Sequence, residues 1–346
     1  MRILVTGAGG YIGTRLVPVL RARGHDVVGL DTGFYAEGWL DWPPGRPERC
    51  RLLDTRDVVP ADVRGMEAVV HLAELSNDPL GQLAPEVTHD INCRGTLRLA
   101  QACRAAGVSR FVYSSSCSVY GAADGVVTER SPVNPQTAYA HCKVLCERAL
   151  AGMAADDFSP TILRNATAFG ASPRMRFDIV LNNLAGLAWT RREIRMTSDG
   201  TPWRPLVHVL DICEAMACVL EAPREAMHGA VFNVGDDSQN YRVRDIAAIV
   251  AGVFPGCALT FGDSGGDTRS YRVAFDRIHA LLPAFHTRHD AVAGALELRA
   301  MFEAIDLSPA MFQASPFTRL HQLQALLANG RLDKRFRWSD RHASAA

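Results

Sequence analysis

The chain has 346 residues, 48% of them apolar, enough to bury a large core and long for a single compact unit, so two lobes are expected. Lysine plus arginine and aspartate plus glutamate each number 37, and this balance argues against a general nucleic-acid binder or a membrane-surface protein. Any anionic ligand must then be held locally. The nine cysteines are odd in number and form no Cys-x-x-Cys pair, which reads as reduced, buried thiols. With no signal-peptide pattern and no apolar run of membrane-spanning length, a cytoplasmic protein is expected.

The first stretch sets the organisation. A short apolar strand at 3–5 runs into Thr6-Gly7-Ala8-Gly9-Gly10-Tyr11-Ile12-Gly13, and a helical pattern follows over 11–23. A strand, a glycine turn and a helix in that order form a phosphate-binding unit: Gly7 permits the tight turn, Gly10 lets the backbone approach a pyrophosphate, and Gly13 lets helix pack on strand. Pro18 falls inside that helix and is expected to kink it.

Further strands are predicted at 27–30, 51–53, 68–72, 111–114 and 161–163, with helices at 87–106 and 138–153 between them. This alternation predicts an α/β fold: a doubly wound parallel sheet of the Rossmann type over residues 1–170, followed by a smaller C-terminal substrate-binding lobe over 171–346. A helix at 174–190 is expected in that lobe, with strands at 207–209 and 230–234. The strand and helix around 205–222 are expected to return to the first domain. The segment 33–50, rich in Trp and Pro, reads as an irregular excursion: a packed surface loop, a wall of the adenosine end or an oligomer contact. From Ala310 onward, Arg319, Arg331, Lys334, Arg335 and Arg337 lie among leucines, as in a docked terminal helix with a solvated charged face.

Three groups carry chemistry. Asp31 ends the second strand, where a carboxylate reaches the adenosine ribose hydroxyls of a dinucleotide and repels a ribose phosphate, favouring NAD over NADP. Tyr139 and Lys143 are four apart and share a helix face, so the Lys143 cation and an oxidised nicotinamide are together expected to lower the Tyr139 pKa and make the phenol a usable base. Ser114, Ser115, Ser116 and Ser118 stand at the C-terminal end of a predicted strand, where open α/β sheets bind ligands. Ser114 and Ser115 read as turn residues, and Ser116 can hydrogen-bond a reacting oxygen.

Taken together, these groups resemble the extended short-chain dehydrogenase/reductase superfamily, in particular its nucleotide-sugar epimerase/dehydratase branch. The resemblance implies Ser116, Tyr139 and Lys143 as the catalytic group. It implies Gly7, Gly10, Tyr11, Ile12, Gly13, Asp31, Asp54, Thr55, Leu72, Ala73, Asn92 and Ser114 around NAD, with Tyr139 and Lys143 reaching the nicotinamide end. Its diphosphate and sugar contacts fall on Asn183, Arg204 and Asp267; Thr167 stands where the family usually has asparagine, and Ser264 where it has an arginine, for which Arg269 is the substitute. A nucleotide-diphosphate sugar as substrate and a homodimer built on the helices at 87–106 and 138–153 are likewise implied.

Dehydratases of this branch usually carry glutamate two residues after the serine, where this chain has Ser118. Cys117 alternates to the opposite face of a strand and reads as packing. Without a second strong acid/base, the expected reaction is oxidation at one carbon, rotation of the keto sugar and return of the hydride to its other face: an epimerase acting at carbon 4. The alternatives are a 4-ketoreductase, a 4,6-dehydratase and a non-catalytic dinucleotide-sensing or RNA-binding relative.

Overall fold

The computed structural model describes residues 1–43, 50–76, 78–263 and 269–339. Side-chain alternation decides the main sheet: Ile3, Val5, Ala68, Val70, Val112 and Leu163 face one side, and Leu4, Val69, Phe111, Tyr113 and Ile162 the other, all buried. Strands apolar on both faces need helices on both. Gly13–Ala22 and Val209–Glu221 cover the first face, and Gly95–Ala105 and Ala138–Met153 the second.

The sheet has seven strands, ordered Val231–Val234, Ser159–Asn165, Arg110–Ser116, Ala68–His71, Arg2–Thr6, Asp26–Asp31 and Arg51–Leu52. Every pairing is parallel. The strand order reverses between Arg2–Thr6 and Ala68–His71, so a crevice opens at their C-terminal ends.

Several local expectations are corrected. The helix Gly13–Ala22 runs through Pro18, which is exposed, so the bond it cannot donate falls on the solvent side. The helical pattern at 87–106 divides into Pro85–His89, a π-turn at Asp90–Arg94 and Gly95–Ala105. The helix expected from 174 begins only at Val180, because Arg174 and Arg176 precede it in irregular chain and bond outward. Helix Val209–Glu221 does return to the first face of the large sheet, but the strand before it does not. Trp203–His208 pairs with Thr167–Phe169 and Asn240–Arg242 in a separate three-stranded sheet, while Val231–Val234 supplies the returning strand.

A second core lies around Phe169, Phe177, Leu206, Phe254 and Phe302, under helices Val180–Arg191, Val243–Val253 and Ala291–Ala304. The C-terminal helix Arg319–Ala328 docks through Leu323 and Leu326 against Phe34, Leu75, Leu80 and Ile91. The arginines of this helix and of the chain after it are more engaged than expected. Arg337 pairs with Asp57, Arg331 with Glu37, and Arg319 is only 4% exposed. Among the described residues, no helix is long and apolar enough to cross a membrane.

Candidate active site

The crevice is a cavity of about 640 Å³, lined by the glycine turn, by the serine run with Tyr139 and Lys143, and by Thr167, Arg204 and Arg269. Gly7 has φ +71°, and a Cβ there would meet the Ala73 nitrogen at 2.9 Å. A Cβ on Gly13 would lie 2.2 Å from the Gly7 carbonyl oxygen, so glycine is what lets this helix start against the turn. Gly7, Gly10, Tyr11, Ile12, Gly13, Leu72 and Ala73 all line the cavity. This is a cradle in which backbone N–H groups and a helix N-terminus can approach a diphosphate.

Asp31 lies beyond the turn, held from both sides: the Gly9 N–H donates to Oδ2 at 3.0 Å and the Gly33 N–H to Oδ1 at 2.8 Å. Burial raises its pKa above the ordinary carboxylate value, against those two N–H groups and the Arg174 and Arg319 charges. Asp54 and Thr55 also face the cavity, with Asp54 accepting a bidentate contact from Arg56. The excursion after Gly33 is no mere surface loop. Arg174 donates to the carbonyls of Gly9, Tyr35, Ala36 and Gly38, tying the excursion to the glycine turn, and Phe34 and Tyr35 form part of the cavity wall. Residues 44–49 lie outside the described part of the chain.

At the other end, Thr137 caps helix Ala138–Met153 by accepting from the Ala140 N–H at 3.2 Å, and so aims Tyr139 and Lys143 at the cavity. Lys143 Nζ donates to the Ser114 carbonyl and pairs with Glu74 Oε2 at 2.6 Å. Tyr113 donates to the other oxygen of Glu74 at 2.7 Å. Burial disfavours the Lys143 charge, but Glu74 more than offsets this, and its pKa is raised.

Lys143 by itself therefore does not lower the Tyr139 pKa. Desolvation raises its pKa, Lys143 opposes that, Glu74 and Asp78 add to it, and the net direction is upward. Glu74 was missed because nothing in its own stretch sets it beside Lys143; only the parallel pairing of Ala68–His71 with Arg110–Ser116 does.

Ser114, Ser115, Ser116 and Ser118 all line the cavity. Ser116 Oγ accepts from the Ser118 N–H at 3.1 Å, and Ser118 Oγ is buried without a hydrogen-bond partner. Cys117 turns away, 1% exposed, with its thiol on the Arg164 carbonyl. Asn165 is a second residue that sequence reasoning passed over. Its amide nitrogen donates to Ser114 Oγ at 2.9 Å, and its oxygen is buried and unpartnered at the cavity wall.

Thr167, Arg204 and Arg269 reach the cavity, whereas Asp267 lies outside the described residues. Arg204 donates to the Trp203 and Arg269 carbonyls, and Arg269 pairs with Asp78. Two expected contacts are not brought to the cavity. Asn183 donates to the Phe177 carbonyl at 2.9 Å and caps that turn. Asn92 is fully buried behind the wall, where its side chain exchanges two hydrogen bonds with the Leu75 backbone, so it positions that wall without facing the cavity. The π-turn around Asn92 is the local distortion that delivers it.

The fold and the cavity together define an α/β protein of the Rossmann-like class, with its cavity at the switch point of the parallel sheet. A model of the NAD dependent epimerase/dehydratase family matches residues 3–235, and the chain belongs to that family. It is an NAD-dependent enzyme of the extended short-chain dehydrogenase/reductase type. The UDP-glucose 4-epimerase of Corynebacterium glutamicum is 32% identical over 265 residues, covering 71% of this chain and 78% of that protein. The UDP-glucose 4-epimerase of Mycolicibacterium smegmatis is 33% identical over 276 residues, covering 73% and 82%. Among solved structures, MoeE5 in complex with UDP-glucuronic acid and NAD shares 30% identity at a TM-score of 0.74, covering 88% of this chain and 99% of that one.

Proposed function

We propose that the protein is a nucleotide-sugar epimerase that inverts carbon 4 of its substrate through a transient keto sugar. One observation carries the choice: Ser116, Tyr139 and Lys143 face the cavity together, while the carboxylates around them are already engaged. Glu74 is bound to Lys143, Asp78 to Arg269, Asp178 to Arg176, Asp54 to Arg56 and Asp31 to two backbone N–H groups. Epimerisation through one oxidised carbon needs one proton acceptor, which Tyr139 supplies. Dehydration needs a second at a neighbouring carbon, and Ser118 stands where it would act.

The residues fit NAD along the glycine turn, with Asp31 at the adenosine ribose, Asp54 and Thr55 towards the adenine, and Ser114, Tyr139 and Lys143 at the nicotinamide end. NAD, when bound, accepts a hydride from the sugar carbon and returns it. Tyr139 takes the hydroxyl proton as that C–H bond breaks and restores it when the bond re-forms on the other face. Ser116 hydrogen-bonds the same oxygen throughout. Lys143 holds positive charge beside Tyr139 and favours the phenolate. Arg204 and Arg269 meet the substrate diphosphate, for which a guanidinium fork is suited, and Thr167 and Ser118 offer hydroxyls to the sugar. The names of the relatives support a UDP-sugar as substrate.

Replacing Tyr139 with Phe tests the assignment. Turnover should fall by about 10²- to 10⁴-fold while NAD remains bound; unchanged turnover would remove Tyr139 from the reaction. The nine cysteines are all free thiols, which supports a cytoplasmic location. Leu145, 46% exposed on the outer face of helix Ala138–Met153, supports a homodimer through that helix. Light scattering on the Leu145→Glu variant tests this, a monomer being the expected result.

A further inference from the structure

The C-terminal helix opens on an arginine whose position its own contacts do not explain. Arg319 is 4% exposed and lines the same cavity as Gly7, Gly10 and Asp31, some 300 residues away in sequence from them. Its guanidinium carbon lies 3.9 Å from the centre of the Tyr35 ring, so one face is stacked. Nη1 is buried with no hydrogen-bond partner, and no described carboxylate is within ion-pair distance of it. Burial without a counter-charge shows in its pKa, which desolvation lowers to about 10.

Burying an unpaired cation is costly, and buried charges are ordinarily paired. The neighbouring arginines have their donors taken up within the protein. Arg174 is engaged by four backbone carbonyls, and Arg176 by Asp178 and Ser76. Arg319 alone of the three keeps its fork for something in the cavity.

On the cofactor placement proposed above, the ligand along this wall would be the dinucleotide, with its ribose hydroxyls at Asp31, whose carboxylate disfavours a phosphate at that point, and its diphosphate towards the glycine turn. We propose that Arg319 binds the diphosphate of NAD, so that the C-terminal helix closes over the cofactor opposite the glycine turn and supplies the charge that the turn's N–H groups lack. Gln322, one helical turn on, donates to the Phe34 carbonyl at 3.2 Å and holds the helix against the Tyr35 segment. The clamp is thus built from residues 34–35 and 319–322, which come from the two ends of the chain.

Equilibrium titration of the full-length protein with NAD, ADP, adenosine 2′,5′-bisphosphate and adenosine tests the assignment. The wild type should bind NAD, and should bind ADP more tightly than adenosine. In Arg319→Gln the preference for ADP over adenosine should shrink about tenfold or more, as expected for losing a charge-assisted contact, with adenosine binding unchanged. Arg319→Lys, which keeps the charge without the fork, should lose less, and it answers the question by the same ratio if Arg319→Gln fails to fold. An unchanged ratio of ADP to adenosine overturns the proposal. So does a loss confined to the 2′-phosphate ligand, which would move Arg319 to the ribose. Failure of the wild type to bind NAD would instead count against the cofactor assignment itself.

Discussion

Lys143 Nζ stands 2.6 Å from Glu74 Oε2, and the two side chains are 4% and 3% exposed. The cation expected to activate Tyr139 is thus already paired with a carboxylate. Lys143, Glu74, Asp78 and Arg176 all act on Tyr139, and with burial they leave its pKa above the ordinary phenol value. Lys143 alone does not favour the phenolate enough, and the positive charge of an oxidised nicotinamide would add to it.

Glu74→Gln removes the opposing charge. The Tyr139 pKa should fall, and the acid limb of the kcat profile should move to lower pH. The same change breaks a buried pair and should destabilise the fold by roughly 3 kcal/mol. A lower melting temperature with an unmoved limb would make Glu74 purely structural.

Gly13→Ala places a methyl group against the Gly7 carbonyl at 2.2 Å. The turn and helix must separate, so NAD affinity should fall by about tenfold or more, a loss on the scale of one charge-assisted contact. Gly152→Ala is the control: no atom lies within 4 Å of its Cβ position near the end of helix Ala138–Met153. It should stabilise by about 0.5 kcal/mol with NAD affinity unchanged, and titration together with thermal melts reads both.

His71 is buried between Thr6 and Thr96, and desolvation, with the Lys143 charge, lowers its pKa to about 3 from 6.5. The unfolded chain therefore takes up a proton first as pH falls. The contribution of neutral His71 to stability is complete above about pH 6.5 and declines through the range down to about pH 3. The urea midpoint should drop across this range, and His71→Gln should flatten that slope.

Glu147 accepts from Arg164 through both oxygens and from Ser115 at 2.5 Å, beneath the serine strand and facing away from the reacting groups. Glu147→Gln should cost roughly 3 kcal/mol in stability while leaving NAD affinity within a few-fold. A large loss of affinity at unchanged stability would show a direct role at the site.

What could be read from the sequence was what is local in it. Strand, glycine turn and helix are contiguous, and Tyr139 and Lys143 share a face because four residues make one helical turn. The residues missed reach the cavity only through topology: Glu74 by strand pairing, Arg176 from irregular chain before a helix, and Arg319 from the far terminus. Asn183 shows the limit of pattern matching. It and Asn182 differ by about 100° of helix rotation, and neither lines the cavity: Asn182 is buried against Gly170 and Tyr11, and Asn183 caps Phe177. The serine run divided similarly: all four serines line the cavity, but the Ser115 hydroxyl is spent on Glu147.

The most direct test of the central claim follows one atom. Purified enzyme with bound NAD is given UDP-glucose carrying deuterium at carbon 4, and the products are resolved by NMR and mass spectrometry. Epimerisation through a transient keto sugar predicts the carbon-4 epimer at unchanged mass, deuterium retained at that carbon, and no net change in reduced nicotinamide. A keto product lighter by one water, or stoichiometric consumption of reduced nicotinamide with a 4-keto substrate, would contradict it.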